Sequence, residues 1–197
     1  MATKKKERTP SGALPFTVPG MRGGEAHEVI EILQGRLDAL NDLALTLKHA
    51  HWNVVGPHFI AIHQMLDPQV AAVRLMADAT AERIAALGGE PVGTAGALVA
   101  ARDWEDYPVR RGYAFDHLGA LDTVYARVVK AHRDAIDKTE KPDPVTQDML
   151  IEQAGQLEQF HWFVRAHLEH ADGTLETVVS HDGARATGSS GSNRRSA

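Results

Sequence analysis

Apolar residues recur at helical spacing over four long stretches of the chain. From Val29 through Ile32, Leu33, Leu37, Leu40, Leu43, Leu47 and Ala50, steps of three and four predict a first helix over about 25–53. It stops at Asn53-Val-Val-Gly-Pro57. A second helix then runs to Leu87-Gly88-Gly89-Glu90-Pro91, where glycine followed by proline ends it. Pro68 lies inside this helix and is expected to kink it or mark an irregular turn, at a local cost of ~3 kcal/mol. Residues 92–112 are too many for a simple turn and read as a crossover carrying a short helix near 95–101. A third helix over about 113–139 and a fourth over about 144–171 flank Thr139-Glu-Lys-Pro-Asp-Pro144, in which Asp143 suits an N-cap and Pro144 a first turn. Short, long and short connections between four long helices predict an all-α four-helix bundle. No internal repeat is evident.

The chemistry that stands out on this framework is a set of two imidazoles and three carboxylates: His51, His63, Asp67, Asp78 and Glu82. At 100° per residue the last four fall at about 0°, 40°, 60° and 100°, on one face of the second helix. At 1.5 Å per residue, however, Asp78 lies roughly 22 Å along the axis from His63. No metal can be held by both within one chain, so a shared metal must sit between two subunits. A dyad would bring residues 63 and 67 of one chain beside 78 and 82 of the other. Neutral imidazole with carboxylate oxygen suits Fe(II), Mn(II) or Zn(II), and a mixed set that must also admit an oxidant favours iron. The structural alternative is that His51 caps helix carbonyls while Asp78 and Glu82 pair with Arg74 or Arg83 on a solvated face.

Composition narrows these choices. The 197 residues include no cysteine, which excludes disulfides and thiolate sites and leaves nitrogen and oxygen ligands alone. The basic start has no apolar stretch behind it, and no run approaches the roughly 18 apolar residues of a membrane helix, so a soluble cytoplasmic protein is expected. The net charge of -5 is unevenly spread. Lys4, Lys5, Lys6, Arg8 and Arg22 face only Glu7 in residues 1–24, and Arg185, Arg194 and Arg195 face only Asp182 in a Gly/Ser-rich C-terminal stretch. The expected organisation is therefore a basic flexible tail (1–24), an acidic bundle (25–171) and a second flexible tail (172–197). Basic arms attract polyanions such as DNA without sequence preference, with solubility as the plainer reading of the same charges.

Other residues invite weaker readings. Glu158-Gln-Phe-His161 matches the Glu-x-x-His motif of bundle-centred di-iron proteins, but a second copy is absent. His49 and His51 point about 160° apart on a helix and cannot share a metal. His167 and His170, near a helix end, suit its dipole better than a metal. Asp143 and Asp148 are candidates for lining an iron inlet, with capping preferred for Asp143. Asp103-Trp104-Glu105-Asp106 is an acidic patch of the crossover, equally readable as solvated surface. Trp162 is expected to pack in the core.

The string His49-Ala-His51-Trp52-Asn53-Val54-Val55-Gly56-Pro57, followed by Phe59, His63, Asp67, Asp78, Ala81-Glu82-Arg83 and Leu87-Gly88-Gly89-Glu90-Pro91, closely resembles the Dps family, the ferritin-like DNA-binding proteins from starved cells. The resemblance covers about residues 15–171, and Asp67-Pro-Gln-Val and Phe160-His-Trp-Phe-Val-Arg-Ala-His-Leu look like its actinobacterial branch. It implies a ferritin-like bundle assembled as a hollow homododecamer with ferroxidase sites at the dyads. There His51, His63 and Asp67, with Asp78 and Glu82 of the partner subunit, would bind two irons. Hydrogen peroxide, preferred over dioxygen, would oxidise Fe(II), and ferric oxyhydroxide would collect in the shell. Trp52, beside His51, is a candidate electron donor to stray oxidant. The rival expectation is a non-enzymatic DNA-compacting or structural shell holding Zn(II) or no metal at the dyad.

Overall fold

In the computed structural model, residues 14–169 are described; Lys4, Lys5, Lys6, Arg8, His170, Arg194 and Arg195 lie outside them. The chain forms α1 (Gly23–Asn53), β1 (Val54–Val55), α2 (Phe59–Ala86), α3 (Ala95–Ala101), β2 (Gly112–Tyr113), α4 (Ala114–Thr139) and α5 (Pro144–Leu168). The four long helices lie within three residues of their expected ends. α1 packs along α2 and α4 along α5, and the pairs meet chiefly through α1 and α4. Leu33, Leu40, Leu43 and Leu47 of α1, Ile62, Leu66 and Ile84 of α2, Leu118, Leu121 and Tyr125 of α4, and Leu150 and Leu157 of α5 have under 2 % of their surface exposed and form one continuous core. Burying such a side chain contributes about 1.5–3 kcal/mol, so this seam dominates the stability of the bundle.

α2 runs through Pro68 without interruption, so the expected irregular turn is absent. Its neighbours secure the helix there: Leu66, Gln69 and Val70 are buried, and the Tyr125 hydroxyl donates to Gln69 Oε1 at 2.6 Å. The far end of α2 closes as the glycines imply. Gly89 N donates to Ile84 O and Gly88 N to Ala85 O, both at 2.9 Å, with Gly88 at φ 87°. A Cβ on Gly88 would lie 1.9 Å from the Phe16 carbonyl oxygen, because residues before α1 dock here. Leu14, Val18 and Met21 pack against the core, so the end of the segment expected to be a flexible tail is part of the folded body.

The crossover is anchored on α1 and α4 through Trp104 and Arg102, while Asp103, Glu105 and Asp106 are exposed. The Trp104 indole donates to Asp42 Oδ2 at 2.8 Å, with the Arg127 guanidinium 4.3 Å above the ring. Arg102 reaches Asp42 Oδ1 at 3.2 Å. The crossover ends in a two-residue parallel pairing, Val54 with Gly112 and Val55 with Tyr113, which ties β2 to the loop after α1. Gly56, at φ 95°, allows this closure, since a Cβ there would lie 2.6 Å from the Tyr113 ring.

Candidate metal centre

The turn between α1 and α2 folds His51, in the last turn of α1, against His63, in the second turn of α2. The imidazole planes are 22° apart and stack at 3.6 Å. His51 Nδ1 donates to the His63 carbonyl at 2.9 Å, and His63 Nδ1 donates to the His51 carbonyl at 3.0 Å. A carbonyl oxygen can only accept, so each Nδ1 must carry its proton and each neutral ring keeps its lone pair on Nε2. The backbone thus fixes both tautomers, as a hydrogen bond from the far ring nitrogen does for metal-binding histidines. Phe59 closes one side, with its ring 4.9 Å from that of His63.

One turn beyond His63, Asp67 is exposed, with Oδ1 3.5 Å from His51 Nδ1 and 2.6 Å from Lys48 Nζ. The hydrogen bond from Lys48 holds the Asp67 carboxyl below the usual range against a slight opposing effect of burial. Lys48 is absent from the sequence reading, although it stands three residues before His51 and so shares its side of α1. It presents a cation to the carboxylate that would otherwise meet a metal.

Asp78 and Glu82 lie one turn apart near the other end of α2, both exposed. Among the described residues neither makes a hydrogen bond or ion pair, and Arg83, offered as their partner by the structural alternative, is instead 2.7 Å from Asp143. Asp78 borders a cavity of about 340 Å³ between α1, α2 and the start of the crossover, with Asn41, Arg74 and Pro91. Because α2 is unbroken, His63 and Asp78 remain about 22 Å apart along it. Among the described residues no cluster of three or more His, Asp or Glu could hold a metal. The five candidate ligands therefore fall into two separate groups on one chain: a nitrogen-rich group at the α1–α2 turn and a carboxylate pair near the far end of α2.

Exposed apolar side chains lie near the nitrogen-rich group: Trp52 (70 % exposed), Phe59, Ile60, Tyr113 and Phe115. Trp162, expected in the core, is 61 % exposed on α5. Glu158 and His161 do not join: Arg133 Nε donates to Glu158 at 2.6 Å, and His161 Nε2 lies 2.6 Å from Asp122. His49 and His51 turn to separate partners, His49 donating to the Val109 carbonyl at 2.9 Å. His167 Nδ1 donates to the Phe163 carbonyl at 2.7 Å in the last turn of α5.

Of the two inlet candidates, Asp148 is exposed near the start of α5. Asp143 stands at the N-cap position but is buried, receiving hydrogen bonds from Arg83 Nη2 at 2.7 Å and from the Thr146 hydroxyl. Burial alone would push this carboxyl up, yet the bonds from Thr146 and Arg83 together hold it below the usual range.

A bundle of four long helices with one long crossover between the second and third is the ferritin-like arrangement, and the family model described as a ferritin-like domain matches residues 30–174. The DNA protection during starvation protein of Mycolicibacterium smegmatis is 55 % identical over 160 residues, covering 81 % of this chain and 87 % of that one. The solved structure of DpsA14 from Streptomyces coelicolor is 60 % identical, with a TM-score of 0.82 over 84 % of this chain and 98 % of that one. The chain belongs to the Dps family of ferritin-like proteins. A relative with another description, the fine tangled pili major subunit of Haemophilus ducreyi, is 48 % identical over 159 residues, covering 81 % of this chain and 84 % of that one.

Proposed function

We propose that the protein is a ferroxidase and iron store that oxidises Fe(II) with hydrogen peroxide at sites shared by two subunits of a dodecameric shell. The reciprocal bonds between His51 and His63 carry this reading. A metal-ready Nε2 on both rings is what a binding site requires and what two ordinary helix-capping histidines would not need. His51, His63 and Asp67 of one subunit, with the partner subunit's Asp78 and Glu82, complete a nitrogen and oxygen set suited to iron, with Mn(II) or Zn(II) as substitutes.

In this reading Fe(II) is the substrate. It displaces Lys48 from Asp67, and the carboxylates, harder ligands than imidazole, stabilise the ferric product. Two Fe(II), one hydrogen peroxide and two waters yield two FeO(OH) and four protons. Paired one-electron donors reduce peroxide without releasing hydroxyl radical, which protects nearby DNA. Trp52, exposed beside His51, is placed to donate an electron when only one iron is present. The ferric product collects inside the shell, and Asp148 is the stronger inlet candidate, because Asp143 is engaged by Arg83. The basic arms, with Lys4, Lys5, Lys6 and Arg8 at one end and Arg194 and Arg195 at the other, bind DNA through phosphates alone, near the nucleoid of the cytoplasm. No helix among the described residues is long and apolar enough to cross a membrane.

The H. ducreyi pili subunit favours a second reading, a non-enzymatic structural assembly. Anaerobic Fe(II) loading followed by substoichiometric peroxide separates the two. The ferroxidase reading requires two irons oxidised per peroxide and ferric iron eluting with a large shell. Oxidation no faster than in buffer, with iron precipitating, would leave the structural reading.

A further inference from the structure

On the face between α1 and α4, a cavity of about 370 Å³ is lined by Glu31, Gly35, Arg36, Asp134, Ala135 and Lys138, none of them a candidate metal ligand. Arg36 is the unusual member. Its Nη1 is buried without a hydrogen-bond partner, and among the described residues its guanidinium makes no hydrogen bond or ion pair. A guanidinium carries five donors and no acceptor, and leaving a buried charged group unpaired is costly. Burial, followed by the nearby charge of Arg127, weakens the hold of Arg36 on its proton despite Asp134 and Asp38, the behaviour of a cation short of counter-charge. His132 adds no second positive charge nearby: burial and the field of Arg36 push it down to about 4, so its imidazole stays neutral. Asp134 is engaged by Lys130 at 2.9 Å.

The walls specify more than a generic anion. Arg36 and Lys138 offer donors, while Glu31 and Asp134 are acceptors that would repel a fully deprotonated oxyanion. Hydrogen phosphate satisfies both, because its oxygens accept from the guanidinium and ammonium while its P–OH donates to a carboxylate. Sulfate and a phosphodiester have no proton to give. A Cβ built on Gly35 would meet nothing within 4 Å, so the glycine leaves the floor of the cavity open.

We propose that this cavity is a binding site for inorganic hydrogen phosphate, with Arg36 as its anchor and Lys138 as its second cation. The test is calorimetric titration of the iron-free, chelator-treated full-length chain with sodium phosphate, sodium sulfate and a short DNA duplex at matched ionic strength. Saturable binding of one phosphate per chain is expected, with sulfate at least tenfold weaker. Lys138→Ala, a change at an exposed side chain, should weaken phosphate at least threefold. Arg36→Met should abolish the signal and, in phosphate-free buffer, leave the melting temperature unchanged or higher, since it removes an unpaired charge. Phosphate heats no larger than dilution would overturn the proposal, as they would if a neighbouring subunit covers the groove in the shell. Equal affinity for sulfate, or binding unchanged in Lys138→Ala, would overturn it as well. Binding of the duplex without binding of free phosphate would replace it with a phosphodiester surface. If Arg36→Met does not fold, Lys138→Ala together with the sulfate comparison decides.

Discussion

Asp143→Ala separates a structural carboxylate from an inlet carboxylate. The side chains of Asp143 and Arg83 are 6 % and 17 % exposed, so the substitution strands a cation shielded from water. Breaking a buried pair costs about 3–5 kcal/mol. Arg83 also donates to Thr146 Oγ1 at 2.9 Å and keeps that bond, so the low end of this range, about 3 kcal/mol, is the expected loss. For a chain of this size that corresponds to a melting temperature lower by roughly 6–12 °C. The pH dependence follows from the lowered carboxyl of Asp143. Its stabilisation is fully present above the ordinary carboxylate range and is lost as pH falls through the depressed folded value. The wild-type advantage over Asp143→Ala should therefore be constant near neutrality and shrink only in acid. Differential scanning calorimetry of both proteins from pH 7 down to pH 3 provides the assay, with initial rates of iron uptake at pH 7 alongside. An unchanged melting temperature with iron uptake slowed several-fold would refute the structural assignment and return Asp143 to the inlet.

The double substitution Asp78→Ala with Glu82→Ala should slow peroxide-dependent iron oxidation at least tenfold while size exclusion shows an intact shell, because neither carboxylate has a partner among the described residues; unchanged stopped-flow kinetics would remove both from the site. Deleting residues 1–10 should weaken DNA retardation in gels at low salt, and an undiminished shift would transfer the role to the C-terminal arginines. His132 titrates at about 4 in the folded chain and near 6.5 when unfolded, so the unfolded state binds more protons between those values and stability falls as pH drops through that window. The shift corresponds to about 3 kcal/mol at its limit, and His132→Gln should flatten the slope of stability between pH 6.5 and 4; an unaltered slope would assign it to other groups.

The long helices were legible because buried leucines at steps of three and four leave a periodic record, and Gly88 and Pro144 punctuate their ends. The parallel pairing of β1 with β2 left no such record: two residues have no period, and their partners lie 58 positions apart. Placing the five candidate ligands on α1 and α2 needed only helix geometry. The lock between His51 and His63 depends on how the loop at Gly56 folds, which the ligand spacing does not encode. Trp162 was misplaced because an apolar residue on a helix looks the same to sequence whether it faces the bundle or the outside. Asp143 read as a cap from its neighbours alone, since Arg83 reaches it from 60 positions away. The docking of Leu14, Val18 and Met21 was not legible, because residues 14–22 form neither helix nor strand and their apolar positions follow no period.

The central claim is that each oxidation site is built from two chains, and subunit mixing tests it directly. His51→Ala with His63→Ala would be co-expressed in equal amounts with Asp78→Ala with Glu82→Ala, and the mixed shells assayed for peroxide-dependent Fe(II) oxidation. Random pairing across a dyad makes half of the pairs mixed, and each mixed pair rebuilds one complete site of two, so about one quarter of wild-type activity should return although each variant alone is inactive. Mixed shells as inactive as either parent would mean that the two groups of ligands do not complement each other across subunits and would contradict the account.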